Sequence, residues 1–395
     1  MTEAENRFAF KSLFAIIFVV SLGFAIIHPF FSVYVKEFGS SGFIIALMFS
    51  GYSLSKILLM PLLGQLSDSK SRSRFILSGL LIYVIVSACY LFVPFNSNLM
   101  VFLRVLQGAG AALVRPIALA FVGNMAQKKR EGAIMGTFDV SFYAALVLGP
   151  IIGGLLNDHF GYRAMFGALL VLCSVGVVLA VLMGAGTGQG TSGTKRPETD
   201  YRKICENQKL QGLLLFIFAR SFGIVVVAIF LPILMHCILS LTHLQIGVVV
   251  ACGSILTPFL LRPFGKLSDR MDRRFLIILG GGLSGLLVIC LPIAECFWQL
   301  LVMITGISVF SALSLPASSA FLVEEGSQYG MGLAMGLFNS VMNAGFFVAP
   351  LVAGLIMDRF GLSFIFLIAG LVGILGVCGF AFLCQPIIGI ANECQ

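Results

Sequence analysis

The sequence predicts an all-α integral membrane fold of twelve transmembrane helices in two pseudo-symmetric six-helix bundles, and three observations lead there. The 395 residues are 59% hydrophobic and only 11% charged, with a mean hydropathy of +1.04, far outside the range of soluble domains. Apolar runs long enough to cross a hydrocarbon core of about 30 Å as helices recur down the whole chain, whereas barrel strands would be about 10 residues long and alternating. A polar stretch, "GQLSDSKSRSR" from Gly64 to Arg74, returns as "GKLSDRMDRR" from Gly265 to Arg274.

The elements follow in order. The first span, 11–35, carries His28-Pro29 near its end and has no small-residue cleavage site, so it reads as a retained helix rather than a signal peptide. Spans 42–66 and 75–95 flank the first basic patch, and 99–126, 132–157 and 162–184 complete the first six. Residues 185–209 are rich in Gly, Ser and Thr and then charged, with no apolar period, and read as a flexible linker. Spans 210–236, 242–267, 275–295, 297–322, 332–357 and 362–384 follow, the second basic patch lying between the second and third of them.

The expected domains are therefore 1–184, a linker 185–209, and 210–395. Their equivalence is visible directly: "GPIIGGLLNDHFGYRAMF" (149–166) aligns without gaps to "APLVAGLIMDRFGLSFIF" (349–366), 200 residues on. Six-helix repeats with a site at the midplane between them are the architecture of a rocker-type secondary transporter.

Seventeen of the 25 Lys and Arg residues fall in loops on one side, and only Lys36, Arg163 and Arg359 on the other. The positive-inside rule places both termini and the linker in the cytoplasm of a cell (inner) membrane protein. The net charge of +8 follows from this topology and calls for no nucleic-acid partner. Glu324-Glu325 dissents, being acidic on the predicted cytoplasmic side. The ten cysteines lie mostly within spans and without CxxC pairs, as small buried apolar residues do. His236, Cys237 and His243 match no metal-ligand spacing, so no metal is expected.

A charge at the bilayer centre costs several kcal/mol, so each one marks a candidate site. Lys56, Arg115, Asp139 and Arg220 come out in one layer, roughly 12–17 Å from the cytoplasmic boundary at 1.5 Å per residue. Arg104 and His28 lie in a second, shallower layer near the other side. With three cations facing one carboxylate, Arg115 or Lys56 pairs with Asp139 and a positive surplus remains. Lys56, Arg115, Arg220 and Arg104 are therefore the substrate-binding candidates, for a molecule with a carboxylate, phosphate or other anionic group. Asp139 and His28 are the candidates for proton coupling, the one through burial beside a cation, the other because an imidazole titrates near neutral pH.

Three stretches carry a family pattern. Gly64, Leu66, Asp68 and Arg72 fit G-x-L-[AS]-D-R-x-G-R-[RK], and Gly265, Leu267, Asp269, Arg270, Arg273 and Arg274 fit it better. Ser69 and Ser71 depart from it in the first copy, and Asp272 in the second. Arg104, Gln107, Gly108 and Gly110 of "FLRVLQGAGAA" fit R-x-x-Q-G-x-G-A-A. In the fifth span Gly136, Gly149, Pro150, Gly153 and Gly154 fit the G-x8-G-x3-G-P-x2-G-G motif of drug:proton antiporters, with Ala145 at its second Gly.

Over nearly its whole length the chain thus resembles a major facilitator superfamily transporter of the 12-helix drug:proton antiporter group. The resemblance implies that Gly64, Asp68, Arg72, Gly265, Asp269, Arg270 and Arg273 form gating loops, with the two glycines allowing close helix approach. It implies an electrostatic or substrate-contacting role for Arg104. The first span lacks the membrane-embedded acid many drug antiporters carry there, so the resemblance does not extend to recognising a cationic drug.

The leading expectation is a monomeric, proton-coupled exporter of a small organic molecule, anionic or amphipathic, with the bilayer and protons as its other partners. Import of an organic anion by proton symport is one alternative, and a transport-fold receptor or assembly factor another. No enzyme and no cofactor are expected, since the chain has no P-loop, nucleophile constellation, metal cluster or soluble domain of useful size. Without a nucleotide module, the energy must come from an ion gradient.

Overall fold

The computed structural model describes residues 3–69, 71–125, 131–184, 207–329 and 331–384. Six helices form the first half: α1 (Glu3–Glu37), α2 (Gly42–Ser69), α3 (Arg72–Phe92), α4 (Ser97–Met125), α5 (Glu131–Phe160) and α6 (Tyr162–Met183). Six more form the second: α7 (Gln208–Cys237), α8 (His243–Ser268), α9 (Arg273–Cys290), α10 (Phe297–Gly326), α11 (Met331–Phe360) and α12 (Leu362–Leu383). All twelve contain a stretch long and apolar enough to cross a membrane. The expected linker lies almost wholly outside the described residues.

Two boundaries differ from expectation for physical reasons. α1 starts at Glu3, eight residues before the apolar run, because helical hydrogen bonding continues into water once the membrane span has nucleated it. α9 stops at Cys290 rather than running on to 295; Pro292 has no N–H to give an α-helix, and Leu291–Ile293 form a single 3₁₀ turn instead.

The duplication read from the sequence recurs in the packing. In the first half α1 packs on α5 and α6, α3 on α4 and α6, and α2 on α4. In the second, α7 packs on α11 and α12, α9 on α10 and α12, and α8 on α10, each pair the counterpart of one in the first half. Two further pairs join the halves, α5 with α8 and α2 with α11, and they too are counterparts. The helix turns repeat as well: Gly161 between α5 and α6 has φ 74° and Gly361 between α11 and α12 has φ 90°. Only glycine takes that backbone without strain, and it lets one residue reverse the chain.

The acidic dissenter finds its reason here. Glu325 pairs with Lys209 (2.6 Å) and Glu324 with Arg273 (2.8 Å), so both acids hold basic residues on the same face.

Candidate functional site

With an even number of spans, both ends of the described chain lie on one face, the termini face, and glycine packing shows how the halves meet between it and the far face. At the far-face end of α5, a methyl group added to Gly153 would fall on the Ile26 carbonyl of α1, and one on Gly154 would sit 2.5 Å from the His243 carbonyl of α8. One added to Gly149 would overlap Ala25 of α1. The carbonyl of Pro150 leaves no room for a side chain at Gly247 of α8. The counterpart seam is as tight: Gly354 of α11 would meet the Gly42 carbonyl of α2 at 2.5 Å. Towards the termini face, Gly136 of α5, Gly336 of α11 and Gly265 of α8 have nothing within 4 Å. The halves touch at the far face, and among the described residues nothing packs against these three glycines towards the termini face.

Most of the helix-5 motif therefore has a packing role, with Gly149 and Gly153 against α1 and Pro150 and Gly154 against α8. Gly136 stands in open space. Gly265 does too: among the described residues none lies within 4 Å of a side chain added there, against the close helix approach expected at this glycine.

Each far-face seam is fastened by a carboxylate across the halves. Asp158, in the last turn of α5, accepts from the backbone N–H of His243 (3.0 Å) and Leu244 (2.8 Å) at the start of α8. Asp358, in the last turn of α11, accepts from the N–H of Gly42 (2.6 Å) and Phe43 (2.9 Å) at the start of α2. Both acids satisfy orphan donors of a helix N-terminus and face its positive dipole end, contributing about 1 kcal/mol each.

On the termini face the loop signature anchors within each half. Arg72 donates to the Ala120 carbonyl of α4 (2.9 Å). Arg273 donates to the Ala320 carbonyl of α10 (3.2 Å) as well as to Glu324. Asp269 and Arg270 are exposed. The side chain of Asp68 and the surroundings of Gly64 lie outside the described residues.

Between the halves, above the closed seam, is a cavity of about 360 Å³. Phe24, His28, Tyr52, Lys56, Arg115 and Phe142 of the first half line it, facing Ile224, Asn343 and Phe346 of the second. Arg115 pairs with Asp139 (3.2 Å), and its guanidinium lies 3.7 Å over the Phe142 ring. Of the two possible partners for the carboxylate, Arg115 is the one in contact; Lys56 shares the cavity without an ion pair to any carboxylate among the described residues. His28 is packed between aromatic rings, 4.9 Å from Phe24 and 5.6 Å from Phe49.

Arg220 is elsewhere. It lines a second cavity of about 330 Å³ within the second half, where it is the one charged group among apolar walls and the hydroxyls of Ser254, Thr257, Ser284, Ser308 and Ser311. It donates to Ser311 Oγ (2.9 Å), and its buried Nε has no partner. Ile224 and Ala228 of α7 line both cavities, so the two adjoin.

Arg104 lines neither. It is 2% exposed, 3.5 Å from the centre of the Phe31 ring and 5.0 Å from that of Phe49, with Nη1 bonded to Gln107 (3.0 Å). Phe49 faces the central cavity, so the charge acts on it from behind an aromatic wall.

Sequence reasoning missed the seam acids Asp158 and Asp358 and the far-face side chains Glu37 and Tyr162, and it set aside His236 and His243, which gather with them, because their spacing matches no ligand pattern. The available signal was the 200-residue repeat, which carries both aspartates at matching places.

The family model described as Major Facilitator Superfamily matches residues 13–218 and again 213–387. The chain is 27% identical over 354 residues to an uncharacterized MFS-type transporter of Methanocaldococcus jannaschii, covering 88% of this chain and 90% of that protein. It is 26% identical over 372 residues to the multidrug resistance protein MdtG of Escherichia fergusonii, covering 90% and 89%. Among solved structures it is similar to a bacterial homolog of the human lysosomal transporter Spinster, inward-facing and unoccupied (TM-score 0.77, 13% identity, 97% and 96% covered). It is also similar to the nucleoside transporter NupG (TM-score 0.80, 11% identity, 95% and 100% covered).

Proposed function

Starting from a chain that belongs to the major facilitator superfamily of membrane transporters, we propose that it is a proton-coupled exporter of a small amphipathic organic anion, working as a monomer in the cell (inner) membrane by alternating access. The units 1–184 and 210–395 rock against each other with the linker between them. The loop charge asymmetry supports placing the termini face in the cytoplasm, and in that orientation the geometry described above is open inwards.

One observation carries the substrate class: a single Arg220, with a buried unpartnered Nε, in a cavity whose other lining residues are apolar or hydroxyl-bearing and which adjoins a second one carrying Lys56 and Arg115. A ligand with an apolar body and one anionic group fits both, its body against the α7–α12 walls and its charge between Arg220 and Lys56. Export rather than import is supported by the relatives named multidrug resistance proteins. Proton coupling is assigned to Asp139, whose carboxylate is held by Arg115 of the cavity lining, with His28 of the lining as the second candidate.

Protonation of Asp139 releases Arg115 and so favours the anion electrostatically; exchange of proton for substrate then rests on the protein changing conformation with either one bound and not with both. Purified protein in liposomes, given a panel of anionic, neutral and cationic amphipaths, tests the substrate class. Arg220→Ala is expected to lower flux of the anionic members at least tenfold and to spare neutral ones. Unchanged transport of every anion by that variant removes Arg220 from the site.

A further inference from the structure

The far-face seam holds a group of side chains that the transport reading does not use. Glu37 ends α1, His236 lies in the last turn of α7, and His243 opens α8. One ligand atom from each lies within 4.8 Å of the other two. His236 Nε2 is 3.0 Å from Glu37 Oε1. Tyr162 Oη bridges the group, 2.9 Å from Glu37 Oε1 and 3.2 Å from His243 Nε2. The two imidazole rings are 4.9 Å apart at 37°.

Behind His243 stands Asp158, with Oδ1 3.0 Å from Nδ1. A carboxylate only accepts, so Nδ1 carries a proton towards Asp158, and Nε2, which faces Glu37 and Tyr162, is the ring atom left to bind a metal once it is unprotonated. This carboxylate–histidine pairing is what orients imidazole ligands in metal sites. We propose that Glu37, His236 and His243 form a site for a divalent transition-metal ion, with zinc the best match, which clamps the far face shut.

Two imidazoles and one carboxylate are a zinc donor set, and tetrahedral bonds of about 2.0–2.2 Å set the donors about 3.3–3.6 Å apart. The His236–Glu37 edge is already near that value, and side-chain rotation closes the longer ones. Tyr162 occupies the bridging position that the ion takes over. Binding through Nε2 displaces the proton that His236 now donates to Glu37, and the neutral ring takes it back at Nδ1 by tautomer exchange through water. Access is open, since the side chains of Glu37 and His236 are 37% and 29% exposed. Magnesium and calcium, which take oxygen ligands, do not suit the site.

The ligands come from both halves. Glu37, with Asp158 and Tyr162 behind it, belongs to the first, and both histidines to the second, so a bound ion is a cross-link over the α5–α8 seam. The spacing of His236 and His243 alone matches no motif because the third ligand arrives from α1.

Calorimetric titration of the purified full-length protein with zinc chloride is expected to show one saturable site per chain that magnesium does not fill. Affinity should fall at least tenfold in Glu37→Gln and in His236→Ala, and about 10–100-fold in Asp158→Asn through loss of ligand orientation. His159→Ala, an exposed histidine on the same face, should bind as the parent does. Unchanged affinity in both Glu37→Gln and His236→Ala, or the absence of any saturable site, overturns the assignment. The clamping role rests on the transport reading and has its own readout. Zinc should slow flux in liposomes, and Glu37→Gln should relieve the block; flux insensitive to zinc at a saturated site would overturn the clamp and leave the binding site standing.

Discussion

Gly154→Val is expected to cut turnover about a hundredfold while the protein still inserts and folds. A methyl at this position would sit 2.5 Å from the His243 carbonyl and 2.7 Å from the Leu244 Cα, both backbone atoms that cannot rotate away. Overpacking of this kind costs about 3 kcal/mol at its upper end, and that is roughly a hundredfold shift in an equilibrium constant. The cost applies only when the seam between α5 and α8 is closed. A state in which the halves part at the far face escapes it, so the population moves towards that state and the cycle stalls there. Spin labels on Phe38→Cys and Phe360→Cys, in a background without the native cysteines, report the far-face opening. Their separation should lengthen in Gly154→Val relative to the parent. An unchanged distance with unchanged flux would mean that the seam does not need a glycine there.

The second large effect is expected at Asp139. Asp139→Asn should abolish accumulation driven by a pH gradient and leave exchange of labelled for unlabelled substrate running. Asparagine keeps the size and much of the hydrogen bonding but cannot take up a proton, so the conformational cycle loses its link to the gradient while substrate binding remains. Stability should change little: the side chains of Arg115 and Asp139 are 39% and 38% exposed, and solvent screens such a pair. The freed Arg115 keeps its stacking on Phe142 and adds to the positive surplus of the cavity. Continued gradient-driven accumulation by the variant would pass the coupling role to His28.

These expectations rest on features that differ in how far they could be read from the chain alone. The spans were legible because hydrocarbon tolerates so little else, and every helix lies within a few residues of its apolar run except at the start of α1 and the end of α9. The duplication was legible because both halves kept the same loop and the same α5/α11 sequence. The pairing of Asp139 narrowed to two cations on the first half, and geometry chose between them.

What escaped was whatever depends on contact between halves. Asp158 and Asp358 look like ordinary loop acids, and their partners are 85 and 316 residues away in sequence. Glu324 and Glu325 break the charge rule when read in sequence, and in the fold they pair with Arg273 and Lys209. Arg220 shared a depth with Lys56 and Arg115 but opens into its own cavity, since depth along a helix says nothing about which way the side chain faces. Gly265 shows another limit: a glycine in a signature says that close approach is allowed, not that it occurs in every state of a moving protein.

The most direct test places the purified protein in liposomes that enclose a pH-sensitive dye, with an imposed pH gradient and an anionic amphipath that the protein carries. Proposed coupling by exchange predicts that adding substrate on one side sends protons through the protein in the opposite direction, and that no such flux occurs in Asp139→Asn. Protons and substrate moving in the same direction, or substrate flux indifferent to the gradient, would contradict it.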